Sequence, residues 1–116
     1  MKKTVSLKEN HLFRRAYNRG KTAVDSRLAL YVRGNGRRDN RLGLTVSTNV
    51  GHAVVRNRVR RRLREIYRLH EDQLAGGRDV VVVARVRAAS SDYRQLEKSF
   101  LRLADKLELL KKEGSK

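Results

Sequence analysis

Residues 80–84 read Val80-Val81-Val82-Val83-Ala84. An unbroken β-branched run of this kind suits a strand buried on both faces; a half-exposed strand would alternate with polar residues. That requirement constrains the fold more than any other stretch. The segment before it adds a second constraint. From His52 to His70 the chain carries Val55, Val59, Leu63 and Ile66 at helical spacing. At 100° per residue these four fall within roughly 80° of arc, the mark of a one-sided helix, predicted over about 53–71. Arg60, Asn57, Arg64, Arg68 and Arg61 cluster on the far side. Gly76-Gly77 then breaks the chain before the valine strand. Strand, long helix, strand implies a crossover and parallel pairing.

The rest of the chain fills in around that unit. Ser6-Leu7-Lys8-Glu9 has the form of a capping box, a hydroxyl residue with Glu three positions on. The helix it starts carries Leu12, Phe13, Ala16 and Tyr17 on one side and Arg14, Arg15 and Asn18 on the other. Gly20 is placed to end it in a left-handed turn. A short strand fits 21–24. Residues 27–33 alternate, with Leu28, Leu30 and Val32 on one face and Ala29 and Tyr31 on the other. Residues 41–47 alternate again, Leu42, Leu44 and Val46 against Gly43, Thr45 and Ser47. The Gly- and Asn-rich loop between them predicts an antiparallel pair. Apart from Tyr31, the second face of these strands is small and polar, an odd surface for a helix to cover. Ser90-Ser91-Asp92, with Gln95 three beyond Asp92, starts a last helix with the stripe Leu96, Phe100, Leu103, Ala104, Leu107 and Leu110. From about residue 111 the charged tail is expected to fray. The reading is one α+β domain over 1–116.

Composition bears on function rather than fold. The 116 residues hold 29 Lys and Arg against 12 Asp and Glu, a net charge of +17. A domain this small repels itself at that charge, and a polyanionic partner is the natural explanation. There is no cysteine, hence no disulfide framework or thiolate metal site, in keeping with a reducing cytoplasm. No apolar run approaches a membrane span, and Met1-Lys2-Lys3 is followed by no apolar segment. His11, His52 and His70 lack ligand spacing and read as surface or helix-end residues. The acids are scattered, with no set to converge on a metal, no phosphate-cradling glycine loop is present, and nothing pairs a nucleophile with a base. No catalytic and no metal-binding residue is assigned.

Binding is legible where chemistry is not. The 52–70 stretch has seven arginines, at 56, 58, 60, 61, 62, 64 and 68, against one acid, Glu65. Solvated helices mix signs to form i,i+4 pairs; this one does not, and arginine forks grip phosphates. A DNA-reading helix-turn-helix does not fit, because a strand and a loop precede the helix. Phe13 and Tyr17 lie one helical turn apart, and Tyr31 points to the polar face of its strand. The three rings either line a groove that stacks single-stranded bases, or Phe13 and Tyr17 pack their helix onto the core.

Arg41-Leu42-Gly43-Leu44-Thr45-Val46-Ser47 followed by Gly51-His52-Ala53-Val54-Val55-Arg56-Asn57-Arg58-Val59-Arg60-Arg61 closely resembles the bacterial ribonuclease P protein subunit. The likeness takes in Leu12-Phe13-Arg14-Arg15-Ala16-Tyr17 with Gly20, the Tyr31 strand, and the valine strand ending Ala84-Arg85, and so spans nearly the whole chain. It implies an α-β-β-β-α-β-α two-layer sandwich with a left-handed βαβ crossover. It implies assembly, one protein per RNA, with a catalytic RNA that cleaves the 5′ leader from precursor tRNA using magnesium held mainly by the RNA. The enzyme is then the assembly, and this chain its binding subunit. By position, Arg56, Asn57, Arg58, Arg60, Arg61, Arg64 and Arg68 match the helix associated with the catalytic RNA. Phe13, Tyr17 and Tyr31, with Arg14 and Asn49, match the leader groove. Thr48, Asn49 and His52 depart from the family, which is often basic there. The alternative is a general RNA-binding structural protein, such as a ribosomal protein, which would share the charge and fold class.

Overall fold

A computed structural model describes residues 3–111. The elements run β1 (Thr4–Ser6), α1 (Asn10–Arg19), β2 (Lys21–Val24), β3 (Leu28–Gly34), β4 (Asn40–Val46), α2 (Ala53–His70), β5 (Arg78–Ala84) and α3 (Tyr93–Lys106). Single 3-10 turns at Thr48–Val50, Glu71–Gln73 and Val86–Ser90 join them. The expected order of helices and strands is borne out, with β1 added at the front.

The five strands form one sheet in the order β1-β4-β5-β3-β2. The valine strand β5 lies in the middle. It runs parallel to β4, from Arg41 opposite Asp79 to Val46 opposite Ala84, and antiparallel to β3, from Leu28 opposite Ala84 to Gly34 opposite Arg78. The expected β3–β4 hairpin is therefore wrong: β5 is wedged between its two arms. The reason is burial. Val80, Val81 and Val82 are all buried, which an edge position would not allow. The loop after β3 is built to cross the start of β5. The Asn35 N–H donates to the Gly77 carbonyl at 2.9 Å, and the Asn35 side-chain amide donates to the Asp79 carboxylate and the Asp39 carbonyl, each at 3.1 Å.

Helices cover both faces. α2 and α3 pack on one through Val59, Leu63, Ile66, Leu96, Phe100 and Leu103, against Leu28, Leu30, Leu42, Val80 and Val82. α1 lies across the other with Leu12 and Ala16 on Val81, flanked by Leu7, Phe13, Tyr31 and Val83. The small face of β4 now has a cause: a Cβ on Gly43 would sit 2.5 Å from the Phe13 ring. Two buried polar groups tie elements together, one between α2 and the sheet and one between neighbouring strands. The Tyr67 hydroxyl, fully buried, bonds Thr4 Oγ1 at 2.9 Å, and burial pushes its pKa up. Asp79, also fully buried, takes a bidentate pair from Arg41 at 2.7 and 2.9 Å.

Two helix-end expectations fail. Ser6 does not cap α1; it belongs to β1, which pairs with Asn40–Leu42, and the Leu7 N–H continues the ladder to the Leu42 carbonyl at 2.9 Å. Glu9 takes the cap position without a side-chain bond. Sheet pairing of this segment outweighs a cap worth about 1 kcal/mol. Gly20 is extended, at φ −77° and ψ 158°, not left-handed. It is glycine because a Cβ would fall 2.4 Å from the Ala16 carbonyl oxygen. The capping box at α3 does form, with the Gln95 N–H on the Asp92 carboxylate at 2.8 Å and the Asp92 N–H on the Gln95 side chain at 2.9 Å. Its stripe is buried through Ala104; Leu107 and Leu110 lie past the helix, half-buried. The expected frayed tail falls, from residue 112 on, outside the described residues, while the Lys111 N–H bonds the Gln73 carbonyl at 2.7 Å.

Candidate nucleic-acid interface

α2 begins at the end of β4 and runs back along the sheet. Its apolar face is seated as the spacing predicts, with Val59, Leu63 and Ile66 buried and Val55 half-buried. Asn57, Arg61, Arg64 and Arg68 are exposed, and Arg56, Arg58 and Arg60 are half-buried. The arginines are not equivalent. Arg68 is held by Glu65, and that shared bond keeps the carboxyl below its usual range and raises the guanidinium pKa. Arg60 donates to the Asn57 side-chain oxygen at 3.1 Å. Arg58 and Arg62 turn inward and donate to the Ala89 carbonyl in the 3-10 turn before α3 and the Ser91 carbonyl just after it, at 3.4 and 3.2 Å. Arg61 and Arg64 make no ion pair among the described residues. Among the described residues the buried Nε donors of Arg56 and Arg58 have no hydrogen-bond partner. Buried donors of this kind are ordinarily satisfied by protein or ordered water, and these two are free to take either water or an acceptor from a bound partner.

The aromatic residues meet on the α1 side of the sheet. The Tyr17 and Tyr31 rings pack edge to face with centroids 4.9 Å apart, and Phe13 lies 6.4 Å from Tyr17. The Tyr17 hydroxyl shares a 3.0 Å hydrogen bond with Thr45 Oγ1, which fixes the ring over β4. The packing reading fits one of its two rings. Phe13 and Tyr31 are half-buried in the α1 core, while Tyr17 is 37% exposed. An open depression of about 560 Å³ is lined by Asn10, Phe13, Arg14, Tyr17 and Thr45. Around the edge of β4 lies a second, of about 220 Å³, where Phe13 and Gly43 face Arg60 and Arg64. β1 covers β4 only from Asn40 to Leu42, so the strand edge beyond is open at this point.

The structure thus brings Phe13, Tyr17, Tyr31 and Arg14 together. It places Asn49 apart, exposed on the 3-10 turn before α2 and outside both depressions. Sequence reasoning missed Thr45, Asn10 and the opening role of Gly43. The small face of β4 was the available signal. The histidines have local partners or none: His11 meets Glu9 at 3.3 Å, His70 meets Glu97 at 2.8 Å, and His52 caps α2 without a side-chain bond. Among the described residues no three His, Asp or Glu side chains gather as metal ligands. No helix among them is long and apolar enough to cross a membrane.

Comparison with known proteins agrees with this geometry. The family model Ribonuclease P matches residues 1–108. The ribonuclease P protein component of Natranaerobius thermophilus is 40% identical over 112 residues, covering 97% of each chain. That of Caldanaerobacter subterraneus subsp. tengcongensis is 41% identical over 107 residues, covering 92% of each. Among solved structures, the Staphylococcus aureus RNase P protein superposes with a TM-score of 0.84 at 27% identity, covering 91% of this chain and 97% of that one. The Thermotoga maritima RNase P protein gives 0.76 at 27%, covering 84% and 92%.

Proposed function

This chain belongs to the ribonuclease P protein family, and from that membership we propose how its surfaces divide the work of the enzyme. It is the protein subunit of an endoribonuclease holoenzyme that matures the 5′ end of tRNA, with ribonuclease P RNA and precursor tRNA as its partners. The rival reading, a general structural RNA-binding protein, has no relative among these matches to support it.

In our reading α2 docks on the catalytic RNA through Arg56, Asn57, Arg58, Arg60, Arg61, Arg64 and Arg68. The groove of Phe13, Tyr17 and Tyr31, with Arg14 at its rim, holds the single-stranded leader. Asn49 stands outside that groove and is left to contact RNA near the start of α2. The observation that carries this division is the pair of depressions sharing Phe13: one is aromatic and open, the other is flanked by Arg60 and Arg64. A strand leaving the groove passes onto the basic edge of α2, so leader and catalytic RNA meet there. No side chain here supplies the chemistry. The catalytic RNA holds the magnesium. Residues 1–116 act as one RNA-binding domain, one copy per RNA, and the absence of cysteine fits a cytoplasmic setting.

The deciding experiment mixes this protein with a ribonuclease P RNA and a leader-bearing precursor tRNA at low magnesium. Cleavage should be faster than with RNA alone. Equal rates with and without protein overturn the reading.

A further inference from the structure

The end of the sheet opposite the start of α2 carries a basic cluster that neither the α2 face nor the aromatic groove includes. β3 ends there at Gly34, β5 begins there at Arg78, and Lys21 opens β2 opposite Val32. α1 ends beside them at Arg19. Arg19, Lys21, Arg33 and Arg78 line one mainly polar cleft of about 310 Å³, large enough for a phosphodiester group. The four cations come from four different elements, so the cluster is made by the sheet register and is not one charged face of a helix. Among the described residues none of the four makes an ion pair, whereas Arg41, Arg68, Arg102 and Lys3 each have an acid within 4 Å. Arg78 is steadied by a 2.8 Å bond to the Gly76 carbonyl. One acid, Glu108, reaches the rim. Four gathered cations against one carboxylate repel each other, and a bound anion would relieve that repulsion.

We propose that this cleft is a second RNA site, gripping phosphodiesters of a strand other than the one on α2. The inference rests on the reading of the chain as a ribonucleoprotein subunit. The molecule measures 42 × 31 × 24 Å, and α2 starts at the far end of β4 from this cleft. RNA held at both ends would embrace the protein and fix its orientation. Distributed phosphate contacts position a protein on nucleic acid without reading sequence, and each contributes roughly 0.7–0.9 to the salt slope.

The test uses the full chain with Arg19→Gln, Lys21→Gln and Arg33→Gln together, leaving Arg78 in place. Binding to a ribonuclease P RNA is measured across a salt series, and precursor tRNA binding is then measured on the assembled holoenzyme. The slope of log affinity against log salt should fall by about 2 in one arm, and that arm identifies the RNA. Glu108→Gln, an exposed position, should act oppositely and tighten binding in the same arm. A thermal midpoint at or above wild type shows the triple variant folded. Unchanged slopes in both arms, with wild type binding normally and Glu108→Gln neutral, overturn this inference alone. Failure of wild type to bind the RNA at all overturns it together with the functional reading.

Discussion

Tyr17 shows what one side chain contributes. Its hydroxyl is tied to Thr45, its edge packs on Tyr31, and its remaining surface is open to solvent beside Arg14. Stacking of one base on such a ring is worth about 1–3 kcal/mol. Tyr17→Ala should therefore weaken precursor tRNA binding roughly 5- to 150-fold and leave mature tRNA unaffected, since only the precursor has a leader. Tyr17→Phe keeps the ring and should lose little. Equal weakening of both substrates by the alanine variant would remove the groove from leader recognition. Asp25 illustrates a different kind of residue. Burial alone would raise its pKa, but bonds from Ser99, the Leu28 and Arg27 N–H groups and Arg102 outweigh this and hold it at about 2, against an ordinary 3.8. A depressed folded pKa means stability that is present above pH 4 and lost as pH falls toward 2. Allowing for partial solvent screening, Asp25→Asn should cost about 1–2 kcal/mol at neutral pH, and the gap to wild type should close between pH 4 and 2. Urea midpoints of both proteins across that range check it; a constant gap would mean the carboxylate is not the source. The placement of Tyr17 was half legible in the sequence, because spacing places its ring and only the fold decides its exposure. Nothing in the sequence marks Asp25, whose partners are up to 77 positions away.

At the scale of elements, α2 was the most legible part of the chain, and its arginines show how far periodicity reaches. Turning 100° per residue puts Arg56 and Arg62 roughly 60° from the centre of the apolar stripe, and Arg61 and Arg64 well away from it. The structure follows that geometry: Arg62 bonds the Ser91 carbonyl, and Arg56 keeps a buried Nε. What periodicity could not supply was the identity of the surface beside the stripe, the 3-10 turn Val86–Ser90, because it comes from a later segment. Different losses follow from different positions. Arg61→Gln and Arg64→Gln should each flatten the salt dependence of RNA binding by roughly 0.7–0.9, with melting temperature unchanged. Arg62→Gln should instead lower the melting temperature, by the loss of a charge-assisted bond worth about 1.5–3 kcal/mol, discounted for its partial exposure. Finding the salt effect at Arg62 and the stability effect at Arg64 would reverse the assignment of the two faces. β4 and β5 repeat the lesson for strands. Alternation and the valine run gave their identity and parallel pairing. The local loop signal after β3 was misleading, because a central strand contributed from 38 residues further along took the place beside β3.

For the whole molecule the governing quantity is the net charge of +17 on 116 residues. The sheet and its two helical layers bury an ordinary core, yet the acids that could balance the cations are few. Several are already committed within the fold, Asp79 to Arg41, Asp25 to Arg102 and Glu65 to Arg68. The fold gathers two groups of the cations left over, one along α2 and one in the cleft of Arg19, Lys21, Arg33 and Arg78. Folding must therefore bring like charges together in both places, and any anion bound by the folded state alone shifts the equilibrium toward it. Sulfate at about ten times its dissociation constant would contribute roughly 1.4 kcal/mol by that mass action. For a domain near this size that is a rise of about 5 °C in melting temperature. At millimolar concentrations the general salting-out effect of sulfate is too small to mimic this. The rise should saturate with concentration rather than grow linearly, which separates site binding from a bulk solvent effect. The triple variant in the cleft should keep only part of the gain, and a further loss should follow from neutralising Arg61 and Arg64. A melting temperature indifferent to millimolar sulfate would mean that self-repulsion is not what limits the free protein, and that the charge serves only its encounter with RNA.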